Sequence, residues 1–150
     1  MSETIETIEI AKALKTGLNT ALSSAYPVYA MGVQTDVDGT IDTNVTTCER
    51  KNPHVMIMVR EREPIGYRSD MQHFPGRVAV VTHFGDDPFQ VNLLTIGRAV
   101  GSYLGNAPTL TLTLRKFDSL TVDAAPETAF DDQLQYMEWQ ITVHTGPAAS

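Results

Sequence analysis

The stretch Leu134 to His144, LQYMEWQITVH, decides the fold class. Met137, Trp139, Ile141 and Val143 alternate with Glu138, Gln140 and Thr142. Period-two alternation of this kind marks a strand with one face in a core and the other toward solvent or a partner. Working backward, Thr109 to Leu114 (TLTLTL) alternates just as strictly, with Leu110, Leu112 and Leu114 on one side. His54 to Arg62 (HVMIMVRER) and Arg77 to Phe84 (RVAVVTHF) are short, β-branched and apolar on both faces at their centres, as inner strands are.

Two segments carry the helical period instead. From about Thr4 to Ser24, Ile10, Ala11, Leu14, Leu18, Ala21, Leu22 and Ala25 share one stripe, while Glu9, Lys12, Lys15 and Thr16 lie off it. That helix ends near Tyr26-Pro27, because a residue before proline is pushed toward extended geometry. In the second, Asp87 caps the free amides, Pro88 takes the first helical position, and Gly105-Asn106 before Pro108 closes it. Phe89, Leu93, Ile96, Gly97, Val100, Tyr103 and Leu104 form its apolar stripe. Gly97 and Gly101 each cost about 1 kcal/mol relative to Ala, so their presence implies close approach of a sheet or another helix.

The order helix, strand, strand, helix, strand, strand predicts an α+β domain: a mainly antiparallel sheet of about four or more strands with both helices on one face. A chain of 150 residues, 42% hydrophobic and 19% charged, is the length of one such domain and buries a core. Long loops are expected at 33–52, 63–76 and 117–133. The first is rich in Thr, Asp, Asn and Gly, with a turn at Asp38-Gly39. Pro64, Gly66, Pro75 and Gly76 break the second, making it too irregular for a strand interior.

Eleven Lys and Arg against eighteen Asp and Glu give a net charge of −7. No large basic face is available for nucleic acid, and no polybasic segment for a membrane surface. No apolar run approaches the roughly 20 residues of a membrane span. The opening Met1 to Glu6 is acidic and polar, unlike a signal peptide. Cys48 is the single cysteine, consistent with a reduced thiol in a protein assembled in cytoplasm.

Chemistry-bearing strings are few. Asp36-Val37-Asp38-Gly39-Thr40 resembles the DxDGT signature of haloacid-dehalogenase-type phosphatases, with Asp86-Asp87 as a possible imitation of the later Mg2+ pair. No buried strand precedes it, and the fifty residues from Asp36 to Asp86 are too few for the crossovers that fold requires. As a calcium loop, Asp36, Asp38 and Asp42 would need glycine sixth and glutamate twelfth, where Ile41 and Thr47 stand. His54, His73, His83 and His144 show no ligand spacing. No catalytic residue, metal ligand or cofactor is therefore assigned. Met56, Met58 and Trp139 read as core fillers, with a subunit interface as the alternative. Tyr67, Met71 and Phe74 fall in the second loop, and with Arg77 they are the candidate protein contacts.

Four features together resemble the tail-terminator (tail-completion) proteins of long-tailed bacteriophages. They are the acidic N-terminal helix leading into Tyr26-Pro27-Val28-Tyr29, the strand His54 to Val59, the unit running from Arg77-Val78-Ala79-Val80-Val81 through Asp87-Pro88 to Leu104, and the closing Leu134 to Val143. The resemblance rests on element order and hydrophobic pattern. It implies a structural virion protein, without enzymatic activity or cofactor, that forms a homohexameric ring on the last ring of the tail tube. Its partners would be its own copies, the tail tube protein and a neck or head-completion protein. DNA would pass through the lumen without specific binding. Another tail–neck connector or head-closure protein is the alternative within this class.

Overall fold

The structure is a computed structural model that describes residues 2–23, 25–26, 28–31, 53–60, 63–65, 68–131 and 133–148. The predicted loop 33–52, and with it Cys48 and the Asp36 to Thr40 string, lies outside these residues. The elements are α1 (Ser2–Ala21), β1 (Val28–Met31), β2 (His54–Val59), β3 (Glu63–Ile65), β4 (Arg68–His83), α2 (Val91–Gly105), β5 (Arg115–Val122), β6 (Glu127–Asp131) and β7 (Leu134–Ala148). The strands make one sheet in the order β1-β2-β4-β7-β5, with β3 added to β4 and β6 to β7. Every pairing is antiparallel except β1 with β2. The fold is α+β, with both helices against the sheet.

The main core lies between helices and sheet. Ile10, Ala11, Leu14, Leu18 and Leu22 of the α1 stripe and Leu93, Ile96, Val100 and Leu104 of α2 meet Val55, Ile57, Phe74, Val78, Val80, Trp139, Ile141 and Val143. The alternation of β7 thus points inward as its sequence predicts. Ala21 and Ala25 extend the α1 stripe in sequence but are exposed. Both faces of β4 bury apolar side chains, because Ala79 and Val81 pack with Leu134, Met56 and Tyr136 on the opposite face. Met58 is the departure from core filling, being half exposed. The two glycines of α2 do what their cost implies: a Cβ on Gly97 would come 2.5 Å from Met137 Sδ, and one on Gly101 would touch the Trp139 ring at 3.5 Å.

Three expectations are corrected. The 63–76 segment is not a loop, since β3 and an unbroken sixteen-residue β4 run through it. Pro75 is tolerated because its carbonyl accepts from Arg60 N at 2.8 Å, facing the β2 side where that strand has already ended. Its absent N–H lies on the same side, so the pairing of Pro75 with Thr142 in β7 loses no hydrogen bond. Gly76 lets the strands close up, for a Cβ there would sit 2.7 Å from the Met58 carbonyl oxygen. Likewise, 117–133 is mostly strand. β5 and β6 lie end to end along one edge of β7, interrupted at 123–126, where Asp123 N donates to Gln140 O at 2.8 Å.

Thr109 to Leu114, conversely, forms no strand. It passes beside α1, and the Glu9 carboxylate accepts the backbone N–H groups of Thr113 and Leu114 at 2.8 and 3.0 Å, together with the Thr113 hydroxyl. A side chain takes the place of a ladder partner. Leu110 is still buried, but Leu114 is exposed.

Candidate functional site

Where β4 hands over to α2, the backbone makes an unusual turn. Asp86 and Asp87 both donate their N–H to His83 O, and Gln90 N donates to Asp87 O at 3.0 Å. Gln90 itself is left-handed, at φ 60 and ψ 26, and makes no side-chain cap bond. The cap comes from further back. Asp87, buried, accepts Asn92 N on Oδ1 at 3.0 Å and Leu93 N on Oδ2 at 2.9 Å. The sequence reading has the right acid in the right role, but α2 starts at Val91, so Pro88 is not its first residue. Buried Gln135 of β7 locks the turn: its Nε2 donates to Asp87 O at 2.7 Å, and its Oε1 accepts from Gln90 Nε2 at 3.3 Å.

This rigid turn carries an exposed aromatic surface. Phe89, placed on the buried stripe by the sequence, is 85% exposed because the helix has not yet begun there. Phe84 and Phe130 are 49% and 62% exposed and meet edge to face at 6.1 Å. Phe84 N donates to Gln133 O, which ties the turn to the segment between β6 and β7. Val91 and Leu94 are exposed as well, and so is Asp86. Three phenylalanines and two aliphatic side chains left in water on a hydrogen-bonded frame are the kind of surface that protein–protein contacts cover.

At the other end of α2 lies a shallow trough on the helix-bearing side. One half, about 330 Å3, is lined by Glu9, Lys12, Ala13, Thr16, Gly17, Thr109, Leu110 and Thr111; the other, about 430 Å3, by Ala21, Ala99, Ser102, Tyr103, Asn106, Pro108 and Thr109. Gly17 lets the Tyr103 side chain of α2 pack directly on α1, since a Cβ there would overlap the Tyr103 hydroxyl. Burial pushes the Tyr103 phenol above its usual pKa. Desolvation works against ionisation of Glu9, yet its bonds to Leu114 and Thr113 prevail and hold its carboxyl below the ordinary value of 4.5.

Beyond the Ala79, Val81 and Leu134 cluster, the opposite sheet face is polar. His73 and His144 are cross-strand neighbours, their rings 5.6 Å apart. The Thr121 hydroxyl donates to Asp123 Oδ1 and lies 3.1 Å from His144 Nε2, while Thr142 donates to Asp123 Oδ2 at 2.6 Å. A carboxylate only accepts, so Thr121 gives Asp123 its one proton and must accept from His144 Nε2–H. That wiring leaves His144 unable to act as base toward Thr121. Arg77 and Glu138 lie on this face 3.5 Å apart.

The sequence-predicted contacts therefore scatter. Tyr67 lies outside the described residues, and Met71 is on β4 with its side chain outside the description. Phe74 is fully buried in the main core and is not available to a partner. Its position in β4, with its side chain on the helix side, overrides the loop reading. Arg77 is exposed but already paired with Glu138. Among the described residues no group of three or more His, Cys, Asp or Glu could hold a metal ion, and no helix is long and apolar enough to cross a membrane.

Set against known protein families and curated proteins, the chain matches none. The surface itself is thus the guide to function. Sequence reasoning missed Phe84, Phe89, Phe130, Val91 and Leu94. The available signal was local: three phenylalanines within or beside segments dense in Asp, Gly and Pro.

Proposed function

We propose that the protein is a structural, ring-forming component of the tail-terminator type, which closes the end of a phage tail tube and offers a surface for the neck or head. The observation that carries this reading is the aromatic surface at the start of α2. It is fixed by a buried aspartate and glutamine rather than left on a mobile loop, so it presents one shape to a partner. Pre-ordered apolar side chains bind with little loss of conformational entropy. A protomer bearing such surfaces closes into a ring with its own copies and covers the tube end, converting an open stack into a finished one. The net charge of −7 suits a lumen that DNA traverses without adhering.

Deletion of the gene, followed by electron microscopy of the assembled tails, tests the reading. Overlong tails are expected. Tails of normal length that lack heads would move the protein to the connector role, and fully regular virions would overturn both.

A further inference from the structure

We infer that β6 is a docking edge whose occupant is an extended segment of another protein, in which apolar side chains alternate with Lys or Arg. That segment adds to the sheet as a further strand. The inference goes beyond the assembly reading and stands without it. Among the described residues, β6 (ETAFD) pairs on one side only, with β7. Asp123 N donates to Gln140 O, and Phe84 N to Gln133 O. Over 133–140, even-numbered residues of β7 therefore turn their backbone groups toward β5 and β6, and odd-numbered ones toward β4. Glu127 and Ala129, opposite Glu138 and Tyr136, bond to β7. Thr128 and Phe130 then send their N–H and C=O groups outward, and these four groups are the free ladder.

The two faces of this edge differ, and together they specify the occupant. On the helix side, Thr128 stands across from Met137 and Phe130 across from Gln135. Phe130 is 62% exposed and meets Phe84 edge to face, so apolar side chains of an added strand find aromatic surface there. On the other face, exposed Glu127 lies directly across from Glu138, a like-charge pair that destabilises a sheet. Arg77, 3.5 Å from Glu138, answers one of these two acids. A cation on the added strand answers the other at short range, because Glu127 would face it in the narrow, non-hydrogen-bonded kind of pair. From Phe117 to Ser150 the sequence holds six acids and no Lys or Arg. Two β6 strands laid together bring acid to acid, and β1 (VYAM), the opposite edge of the sheet, has no base to offer. The bases come from a different chain.

The probe is a synthetic peptide with Lys-Val-Thr-Val-Lys at its centre, titrated into the full-length protein and followed by NMR of backbone amides. Its counterpart carries Glu in place of both lysines. Shifts are expected at the amides of Thr128 and Phe130, with the Lys peptide bound at least about threefold more tightly than the Glu peptide. N-methylation of the two valines, whose amides face β6, abolishes binding, whereas N-methylation of the central threonine leaves it intact. Glu127→Lys reverses the preference between the peptides, and Phe130→Ser weakens both at least about fivefold. Thermal denaturation is the fold control, and the methylated peptides test the ladder without altering the protein. Absence of shifts at millimolar peptide, equal binding of the two peptides, or indifference to the site of methylation overturns the inference. Self-association that Phe130→Ser abolishes would give the edge to a second copy and overturns it too. None of these results alters tail length in a deletion strain, so failure here is distinct from failure of the assembly reading.

Discussion

Replacing Asp87 with Ala removes the only side chain, among the described residues, that is bonded to the first amides of α2. The carboxylate accepts two backbone N–H groups, those of Asn92 and Leu93, at 3.0 and 2.9 Å. Loss of a capping acid costs about 1–2 kcal/mol. Leu93 is fully buried, so its amide is left without water as well, which adds roughly 1–2 kcal/mol. Gln135 keeps its bond to the Asp87 carbonyl, since that acceptor belongs to the backbone. The expected sum is about 2–4 kcal/mol, or a fall in Tm of roughly 5–15 °C for a chain of this size. Chemical denaturation measures the first figure and calorimetry the second. Asp87→Asn keeps one acceptor oxygen but turns an amide donor toward an amide, and should lie between the two. A loss under about 0.5 kcal/mol for Asp87→Ala would refute the argument that this residue, rather than Gln90, holds the helix start.

Gly101→Ala should stabilise the fold by about 0.5–1 kcal/mol, because helix propensity improves and the new methyl meets Trp139 at an ordinary 3.5 Å. Gly97→Ala gains the same propensity but drives a methyl to 2.5 Å from Met137 Sδ, so denaturation should place it at least about 1 kcal/mol below Gly101→Ala. Phe74→Ala should cost about 3–5 kcal/mol in denaturant titration; a neutral result would return Phe74 to the surface. Glu9 has a folded pKa below 4.5, so its contribution is full above that pH and is lost as pH falls through the folded value. The stability gap between wild type and Glu9→Gln should accordingly narrow below pH 4.5, and a gap independent of pH would contradict it.

The fold was legible wherever burial imposed a period on side chains. β7 alternates because one face meets α2, and α1 repeats because one stripe meets the sheet. It was illegible wherever the backbone alone made the structure. β5 and β6 hydrogen-bond along β7, yet Leu120 is their only buried apolar residue, so their side chains carry no alternation to read. TLTLTL fails in the opposite sense. Its leucines alternate, but no strand among the described residues pairs with it, and Glu9 answers its N–H groups instead. Pro75 and Gly76 look like breakers, although one sits where β2 has run out and the other where two backbones must touch. Pattern reports which side is wet. It does not report which neighbour supplies the hydrogen bond.

The candidate surface was hidden for a sharper reason. With Pro88 as the first helical residue, Phe89 falls in phase with Leu93 and Ile96 and joins the core on paper. The left-handed Gln90 breaks that phase and starts α2 at Val91, which leaves Phe89 in water. A non-glycine residue in that region costs about 1–3 kcal/mol, so the turn persists only because other bonds offset it. Asp87 supplies two, and Gln135 supplies two more across a chain separation of forty-five or more residues. The chain adopts a strained turn, braces it from β7, and thereby exposes a large aromatic side chain. Both the strain and the exposure fit the proposal that another protein covers Phe89.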